Sequence, residues 1–219
     1  MTFDYLDGTP YKIKQNKKMY HFNSDTELLG KYIDLNNEDL VLDVGTNNGA
    51  LLCYAALFNP KLLVGIDIFD DVIDLAKYNL EMNDIKANLY VSSVQSFMHD
   101  PFTAIICNPP YFNSLSEGEN KYLLAARHEN YFNLDEFFDA CNRLLKDEGV
   151  IHLVYPYHKI NVLIDVASKH NFYPFQVRIS YDKKDGNKKS VLLTFKRNEN
   201  NMVYYLPAAY LNDRKSFKL

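Results

Sequence analysis

The sequence predicts an α/β protein with a doubly wound, mostly parallel sheet of about seven strands and an antiparallel hairpin on its C-terminal side. Apolar runs such as "LVLDV" alternate with segments of helical spacing such as "DVIDLAKYNLEMN", which is the pattern of strands buried on both faces and their crossover helices. The turn-forming "KKDGNK" separates the last two strand-like runs. Parallel strands should therefore fill the centre of the sheet, with a hairpin beside them.

The elements follow in a regular order. A helix around "DTELLGKYI" precedes the first strand, "LVLDV", which leads into the helical "ALLCYAALF". The second strand is "LLVGID", and the next helix starts with Asp70 or Asp71 as its cap. "ANLYVSS" and "TAIICN" are strands, "LDEFFDACNRLLK" is a helix capped by Asn133, and "GVIHLVYP" is a strand. "YPFQVRISYD" and "KSVLLTFKR" complete the sheet as the hairpin.

The domain organisation is read as one domain over residues 1–219, because no repeat or Pro/Gly/Ser-rich linker interrupts the alternation. Residues 1–38 form an N-terminal segment, residues 39–197 a catalytic core and residues 198–219 a tail. The N-terminus is polar and no apolar run approaches the ~18 residues that span a bilayer, so we expect a cytoplasmic protein without a membrane partner. A monomer is the expected oligomeric state.

The charge balance and the cysteines bear on three features of the protein, namely a nucleic-acid partner, disulfide bonds and metal sites. The 24 Lys and Arg against 28 Asp and Glu give a net charge of −4, which does not favour a nucleic-acid partner, although binding depends on where the basic residues lie. Cys53, Cys107 and Cys141 are far apart and lack CxxC spacing, so neither a disulfide framework nor a metal site is predicted. Cys107 precedes Asn108 inside a predicted strand, and we interpret it as a core residue rather than a nucleophile.

A glycine loop follows the first strand. "DVGTNNG" places Asp43, Gly45 and Gly49 where backbone can approach a ligand at the start of a helix, which favours a nucleotide-like cofactor over a purely structural turn. Asn47 stands where an NAD fingerprint has its second glycine, and no phosphate-binding GxxxxGK[ST] loop occurs. Asp67 ends the second strand, where a carboxylate accepts the hydroxyls of a ribose or simply caps the next helix. An adenosine cofactor without a pyrophosphate loop indicates S-adenosylmethionine.

The stretch "NPPY" (residues 108–111) follows the fourth strand of the core. The side-chain carbonyl of Asn108 and the main-chain carbonyl of Pro109 can accept both hydrogens of one planar amino group. Proline has a fixed φ and no N–H, so the segment is stiff and offers acceptors without a competing donor. Such acceptors stabilise the positive charge that develops on an amino nitrogen as it attacks an electrophilic methyl group. A rigid loop that only punctuates the strand is the structural alternative.

Two aromatic residues complete this stretch. Tyr111 offers a face on which a base can stack, a contact worth roughly 1–3 kcal/mol. Phe112 extends the aromatic surface that Tyr111 offers. We therefore predict Asn108, Pro109, Pro110 and Tyr111 as the catalytic residues.

These motifs resemble the class I S-adenosylmethionine-dependent methyltransferases, and in particular the amino-group subset in which Asn, Asp or Ser precedes Pro-Pro and an aromatic residue. The match runs from about Phe22 to Lys196. "FNSDTELLG", "NPPYF" and "ARHE" are most similar to the bacterial tRNA1(Val) adenine-N6 methyltransferase family, which modifies the adenosine just 3′ of the anticodon. The resemblance implies a Rossmann-like methyltransferase fold, S-adenosylmethionine as cofactor and the tRNA anticodon arm as partner.

The resemblance also assigns roles to residues. Phe22 and Asp25 fall in the segment that lies over the methionine end of the cofactor in such enzymes, Asn47 replaces a usual glycine, and Ser93 stands near the usual position of an acid that faces the adenine. The predicted cofactor-binding residues are Phe22, Asp25, Asp43, Gly45, Asn47, Gly49, Asp67, Ser93 and Asn108.

Substrate-binding residues are predicted from the same resemblance and from charge. Arg127 and His128 of "ARHE" either orient the tRNA or form a surface ion-pair cluster. Lysines interleaved with aromatic residues crowd the N-terminus, the hairpin tip and the tail, as expected where phosphates and splayed bases meet a protein. The predicted substrate-binding residues are Tyr111, Phe112, Arg127, His128, Lys183, Lys184, Lys188 and Lys189.

Three other functions remain open from the sequence. A release-factor glutamine methyltransferase grips the same planar amide, but members of that family generally carry a larger helical N-terminal domain. A DNA adenine methyltransferase would need a domain that reads duplex sequence, and none is evident. A non-catalytic RNA-binding protein that keeps the cofactor fold is the third alternative, and the intact "NPPY" disfavours it.

Overall fold

The structure, a computed structural model, describes residues 2–16, 22–110, 132–197 and 202–211. Its strands are β1 (Thr2–Tyr5), β2 (Lys12–Gln15), β3 (Leu40–Val44), β4 (Leu62–Asp67), β5 (Asn88–Val91), β6 (Phe102–Cys107), β7 (Leu145–Pro156), β8 (Tyr173–Asp182), β9 (Lys188–Lys196), β10 (Tyr204–Tyr205) and β11 (Ala209–Leu211). Its α-helices are α1 (Ser24–Tyr32), α2 (Ala50–Ala56), α3 (Asp70–Met82), α4 (Leu134–Leu144) and α5 (Ile160–Lys169).

The main sheet has the order β10-β8-β9-β7-β6-β3-β4-β5, and β11 also pairs with β8. Strands β3 to β7 pair in parallel, whereas β9 runs antiparallel to both β7 and β8. The predicted parallel sheet with its antiparallel hairpin is therefore confirmed. Two short strands from the predicted tail, β10 and β11, add to its edge in parallel with β8.

Helices cover both faces of the sheet, as the doubly wound pattern requires. On one face, α1, α2 and the β1–β2 hairpin pack over residues such as Val41, Leu63 and Ile106. On the other face, α4 and α5 pack over residues such as Leu42, Ile105 and Leu193. All three cysteines are buried and free, and Cys107 lies in the core as predicted.

The helix starts confirm one cap predicted from the sequence and correct another. Asn133 caps α4 as predicted, and the side chain of Asn23 caps α1 within a capping box. Helix α3 has the extended Phe69 at its N-cap, so the prediction of Asp70 or Asp71 as the cap was wrong. Both aspartates lie in the first turn instead, where carboxylates interact favourably with the helix dipole.

Three features escaped the sequence prediction. Helix α5 follows β7, strand β7 begins at Leu145 before the predicted "GVIHLVYP", and β1 pairs with β2 in a separate antiparallel hairpin. The strands of that hairpin are only four residues long, which leaves little alternation to detect. Within the described ranges, no helix is both long enough and apolar enough to cross a membrane.

Candidate active site

A pocket opens at the carboxyl ends of β3, β4 and β6, the edge where open parallel sheets bind ligands. Segments that are distant in the sequence meet there because parallel strands end at the same edge. Eight of the residues predicted from the sequence line this pocket, namely Phe22, Gly45, Asn47, Asp67, Ser93, Asn108, Pro109 and Pro110.

The glycine loop forms one wall through left-handed backbone. Gly45, Asn47 and Gly49 have φ values of 73°, 50° and 83°. Asn tolerates this conformation better than most residues, which explains how Asn47 replaces a glycine. A Cβ at Gly45 would meet nothing within 4 Å, whereas one at Gly49 would lie 3.6 Å from Ala76 of α3. Gly45 is therefore a wall residue, and Gly49 sits behind the wall where α2 begins.

Asp67 lies at the carboxyl end of β4, as predicted. Its carboxylate accepts hydrogen bonds from the backbone N–H of Asn47 at 3.1 Å and of Phe69 at 3.3 Å. Burial raises the pKa of Asp67 above its ordinary value, and these backbone donors oppose the rise. The carboxylate is thus fixed by two loops at the pocket wall, in a position that suits a ribose diol.

Asp43 is fully buried beneath the glycine loop rather than in the pocket wall. The Thr46 hydroxyl donates to its Oδ2 at 2.7 Å, while Oδ1 has no partner among the described residues. Burial raises the pKa of Asp43 to about 7, with the Thr46 hydrogen bond opposing the rise. Its cofactor-binding role stays a prediction, and any such role acts through the loop above it.

Asn48 is a wall residue that the sequence reasoning missed. Its side chain is 1% exposed, and both its Oδ1 and its Nδ2 lack a hydrogen-bond partner among the described residues. Buried polar atoms are nearly always paired in folded proteins, so an unpaired amide in a pocket wall fits a polar ligand. The sequence feature that could have identified Asn48 is its position in "DVGTNNG", directly after the Asn that replaces a glycine.

The opposite wall carries Asn108, Pro109 and Pro110, which leave the end of β6. Asn108 Nδ2 donates a hydrogen bond to Thr26 Oγ1 at 3.0 Å. Thr26 belongs to the first turn of α1 and also lines the pocket, although the sequence reasoning did not single it out. The bond leaves Asn108 Oδ1 as the amide's acceptor for another group.

Asp25 does not line the pocket, in contrast to Phe22. Its Oδ1 accepts a hydrogen bond from Ser190 Oγ at 2.6 Å. This contact ties the first turn of α1 to β9, so Asp25 has a structural partner on the hairpin side. Its cofactor-binding role stays a prediction.

Ser93 lines the pocket among apolar neighbours. Its hydroxyl donates to Ser96 Oγ at 3.2 Å, within the turn that follows β5. Ile68, Phe69 and Val94 line the same region. Apolar side chains with a few polar groups suit a purine ring, so this end of the pocket fits the adenine of the cofactor.

The predicted lysines lie outside the pocket but at the same edge of the sheet. All four are exposed in or beside the turn between β8 and β9, namely Lys183, Lys184, Lys188 and Lys189. Ser190 pairs with Pro156 at the carboxyl end of β7, next to the end of β6 that carries Asn108. The other predicted substrate residues, Tyr111, Phe112, Arg127 and His128, lie outside the described residues.

Comparisons with known proteins identify the family of the chain. The family model described as Methyltransferase small domain matches residues 19–164. The chain is 26% identical over 169 residues to the tRNA1(Val) (adenine(37)-N6)-methyltransferase of Aliivibrio salmonicida, which covers 71% of this chain and 72% of that protein. A protein of the same name from Vibrio campbellii is 30% identical over 156 residues, which cover 69% of this chain and 65% of that protein.

A solved structure supports the fold. The ribosomal protein L11 methylase from Lactobacillus delbrueckii subsp. bulgaricus matches with a TM-score of 0.62 at 18% identity, over 84% of each chain. The matched family segment contains the glycine loop, Asp67 and Asn108, and S-adenosylmethionine is the cofactor. The unpaired Asn48 amide, the Asp67 carboxylate and the apolar walls fit that molecule. The chain belongs to the methyltransferase small domain family.

Proposed function

We propose that the protein transfers a methyl group from S-adenosylmethionine to the exocyclic N6 of an adenosine in tRNA, namely the adenosine 3′ of the anticodon in tRNA1(Val). The observation that carries this proposal is the position of Asn108 and its two prolines in the same pocket as Asp67 and the glycine loop. The names of the relatives from Aliivibrio salmonicida and Vibrio campbellii support the choice of nucleotide.

The wall formed by Asn108, Pro109 and Pro110, named the acceptor wall, accounts for the chemistry in this proposal. Asn108 Oδ1 and the Pro109 carbonyl accept the two hydrogens of the adenine amino group and hold its nitrogen toward the cofactor. The bound cofactor supplies an electrophilic methyl group on a sulfonium. As the new N–C bond forms and the S–C bond breaks, the two acceptors stabilise the positive charge on nitrogen. The methylated nitrogen then releases one proton to solvent, and S-adenosylhomocysteine is left.

The other wall binds the cofactor in this proposal. Asp67 accepts the ribose hydroxyls, and the backbone of Gly45 and Asn47 contacts the methionine end together with Phe22. The turn containing Ser93 surrounds the adenine. These assignments agree with the pocket lining, in which each of these residues takes part.

Two basic surfaces favour RNA as the substrate. At the hairpin tip, Lys188 Nζ donates to Tyr157 Oη at 2.8 Å, and Lys189 lies 3.7 Å from Asp182. Exposed pairs of this kind contribute little free energy, so the lysines stay available to phosphates. Lys184 is exposed beside them.

The second basic surface is the outer face of the β1–β2 hairpin. Phe3 pairs with Lys14 and Tyr5 pairs with Lys12, so aromatic and basic side chains alternate on this face. Lys12 Nζ lies 5.1 Å from the centre of the exposed Tyr5 ring, and Lys14 Nζ lies 4.1 Å from that of Tyr78. Such interleaving suits RNA, in which bases stack on rings while phosphates meet cations.

The proposal is tested by incubating the protein with labelled S-adenosylmethionine and total tRNA that lacks this modification, followed by nucleoside analysis. We expect N6-methyladenosine in one valine isoacceptor. Label in a release factor and none in tRNA would overturn the proposal in favour of glutamine methylation. The absence of label from every substrate, with cofactor binding intact, would favour the non-catalytic RNA-binding alternative.

The contribution of the hairpin tip is tested separately by charge reversal. Replacing Lys183, Lys184, Lys188 and Lys189 by Glu should weaken tRNA binding at least roughly 10-fold and flatten its salt dependence. A matched control reverses four exposed lysines at the opposite edge of the sheet, namely Lys61, Lys86, Lys146 and Lys169. Both variants have the same net charge, so equal losses of affinity would exclude a specific role for the tip.

A further inference from the structure

We propose that Thr26 is a positioning residue that fixes the orientation of the Asn108 side-chain amide. The inference rests on the proposed function, in which Asn108 Oδ1 accepts a hydrogen from the target amino group. An amide presents an acceptor on one side and donors on the other, so a rotation by half a turn would replace the acceptor with donors. Something in the site must therefore select one orientation.

The contact between the two residues joins distant parts of the chain. Asn108 Nδ2 lies 3.0 Å from Thr26 Oγ1, and the residues are 82 positions apart. Both line the pocket, and Thr26 is only 6% exposed. Water therefore competes little for this hydrogen bond.

The direction of this hydrogen bond follows from its neighbours. The Thr26 backbone N–H, which can only donate, points to Asn23 at 3.1 Å and so requires the carbonyl oxygen Oδ1 there. Thr26 Oγ1 lies 3.3 Å from the same oxygen and donates its single proton to it. Having spent its proton, Thr26 Oγ1 acts as an acceptor, and Asn108 must turn its NH2 group toward it.

The chain of bonds therefore starts at a backbone amide and ends in the pocket. The capping box of α1 sets the polarity of Asn23, Asn23 sets that of Thr26, and Thr26 sets that of Asn108. Asn108 Oδ1 is left as the amide's acceptor. A capping motif that ordinarily only starts a helix here also orients the proposed catalytic amide.

The first turn of α1 is also tied to β9. Asp25, adjacent to Thr26, accepts a hydrogen bond from Ser190 Oγ of β9 at 2.6 Å. The first turn of α1 is thus fixed between the end of β6 and the start of β9. This arrangement keeps the Thr26 hydroxyl at a constant position relative to Asn108.

The test compares Thr26→Val, which keeps the shape of the side chain but lacks the hydroxyl, with Thr26→Ser, which keeps the hydroxyl. We expect Thr26→Val to lower kcat for tRNA methylation roughly 10-fold, because one oriented hydrogen bond is lost. KM for tRNA and the affinity for S-adenosylhomocysteine should change less than about 3-fold. Thr26→Ser should retain most of kcat. Ser24→Ala, an exposed change in the same turn, is the matched control.

A second measurement separates orientation from stability. In an Asn108→Asp background both side-chain oxygens are acceptors, so rotation no longer matters and Thr26→Val should lower kcat much less than in the parent. Equal losses in the two backgrounds would contradict the inference, as would a Thr26→Ser variant that is as slow as Thr26→Val. If the parent methylates tRNA and Thr26→Val leaves kcat unchanged, the inference about Thr26 is overturned and the proposed function is not. A parent that methylates no tRNA would overturn the proposed function instead.

Discussion

The two walls of the pocket are built in different ways. The glycine-loop wall is local, because residues 43–49 supply its left-handed turns and its internal hydrogen bond from Thr46 to Asp43. The acceptor wall is assembled from distant segments, because Asn108 depends on Thr26 and α1 is tied in turn to β9 through Ser190. A cofactor loop can thus be specified by one short stretch, whereas the orientation of a single amide draws on three parts of the chain.

This difference assigns separate tasks to the walls. The local wall presents backbone and fixes the neighbouring Asp67 carboxylate of β4 through the Asn47 N–H, which suits recognition of a constant cofactor. The assembled wall places one acceptor against a reacting group, where small displacements are costly. Changes in the first wall should therefore act on cofactor affinity and stability, and changes in the second on turnover.

The largest effect is expected at the acceptor wall. Asn108→Ala should lower kcat by about 100-fold or more, comparable to the removal of one oriented transition-state hydrogen bond. The affinity for S-adenosylhomocysteine, measured by calorimetry, should change by less than about 3-fold, since the glycine loop and Asp67 remain intact. A variant that loses cofactor binding as strongly as turnover would erase the distinction between the walls.

A smaller effect is expected from two glycines, Gly30 behind the acceptor wall and Gly45 in the glycine-loop wall. A Cβ at Gly30 of α1 would lie 2.2 Å from the Tyr54 ring, which is held by a hydrogen bond from its hydroxyl to the Asp7 carbonyl at 2.8 Å. Gly30→Ala should lower the free energy of unfolding by about 2 kcal/mol through overpacking and should also slow turnover, because α1 carries Thr26.

Gly45→Ala is the matched change on the other wall. Its Cβ would meet open space, so the left-handed φ of 73° is the main cost, about 1 kcal/mol. Because Gly45 lines the pocket, the added methyl group should weaken cofactor binding while kcat at saturation changes less. Urea unfolding measures the free energy of unfolding of both glycine variants, and calorimetry measures their affinity for S-adenosylhomocysteine. If both quantities changed equally in the two variants, the assignment of separate tasks to the two walls would be contradicted.

The last expected effect is on the pH dependence of stability alone, and it concerns the buried acid beneath the glycine loop. The pKa of Asp43 is raised to about 7 in the folded protein, above its ordinary value of 3.8, so folding favours its protonated form. Its contribution to stability is therefore present at low pH and is lost as pH rises from about 4 to about 7. The Asp43→Asn side chain does not titrate. The free energy of unfolding of this variant should therefore rise relative to that of the parent by about 1–3 kcal/mol across that pH range. Unfolding measured at pH 5 and pH 8 without cofactor checks this, and a difference that is constant with pH would contradict it.

Much of the fold and half of the site follow from local sequence patterns. "LVLDV", "LLVGID" and "TAIICN" give parallel strands because continuous apolar runs suit burial on both faces. Gly45, Asn47, Asp67 and Asn108 were placed at one edge because parallel strands end together. These residues need only their own strand and turn to be recognised.

The rest depends on contacts that a single stretch cannot reveal. Thr26 looks like an ordinary residue of a capping box until Asn108 is brought beside it. Asn48 reads as one of two loop asparagines, and only its burial without partners distinguishes it. Asp25 was predicted at the cofactor, a role that stays a prediction, and its hydrogen bond from Ser190 of β9 could not be foreseen from its own segment. Side-chain contacts between distant segments decided the cases of Thr26 and Asp25, and burial decided that of Asn48.

The most direct test of the central claim is a crystal structure of the protein with S-adenosylhomocysteine. We predict the ribose hydroxyls at Asp67, the thioether sulfur beside Asn108 and the Asn108 amide still donating to Thr26. A ligand bound away from the end of β6, or a sulfur that faces the opposite side of the pocket, would contradict the assignment of Asn108 as the acceptor for the target amine.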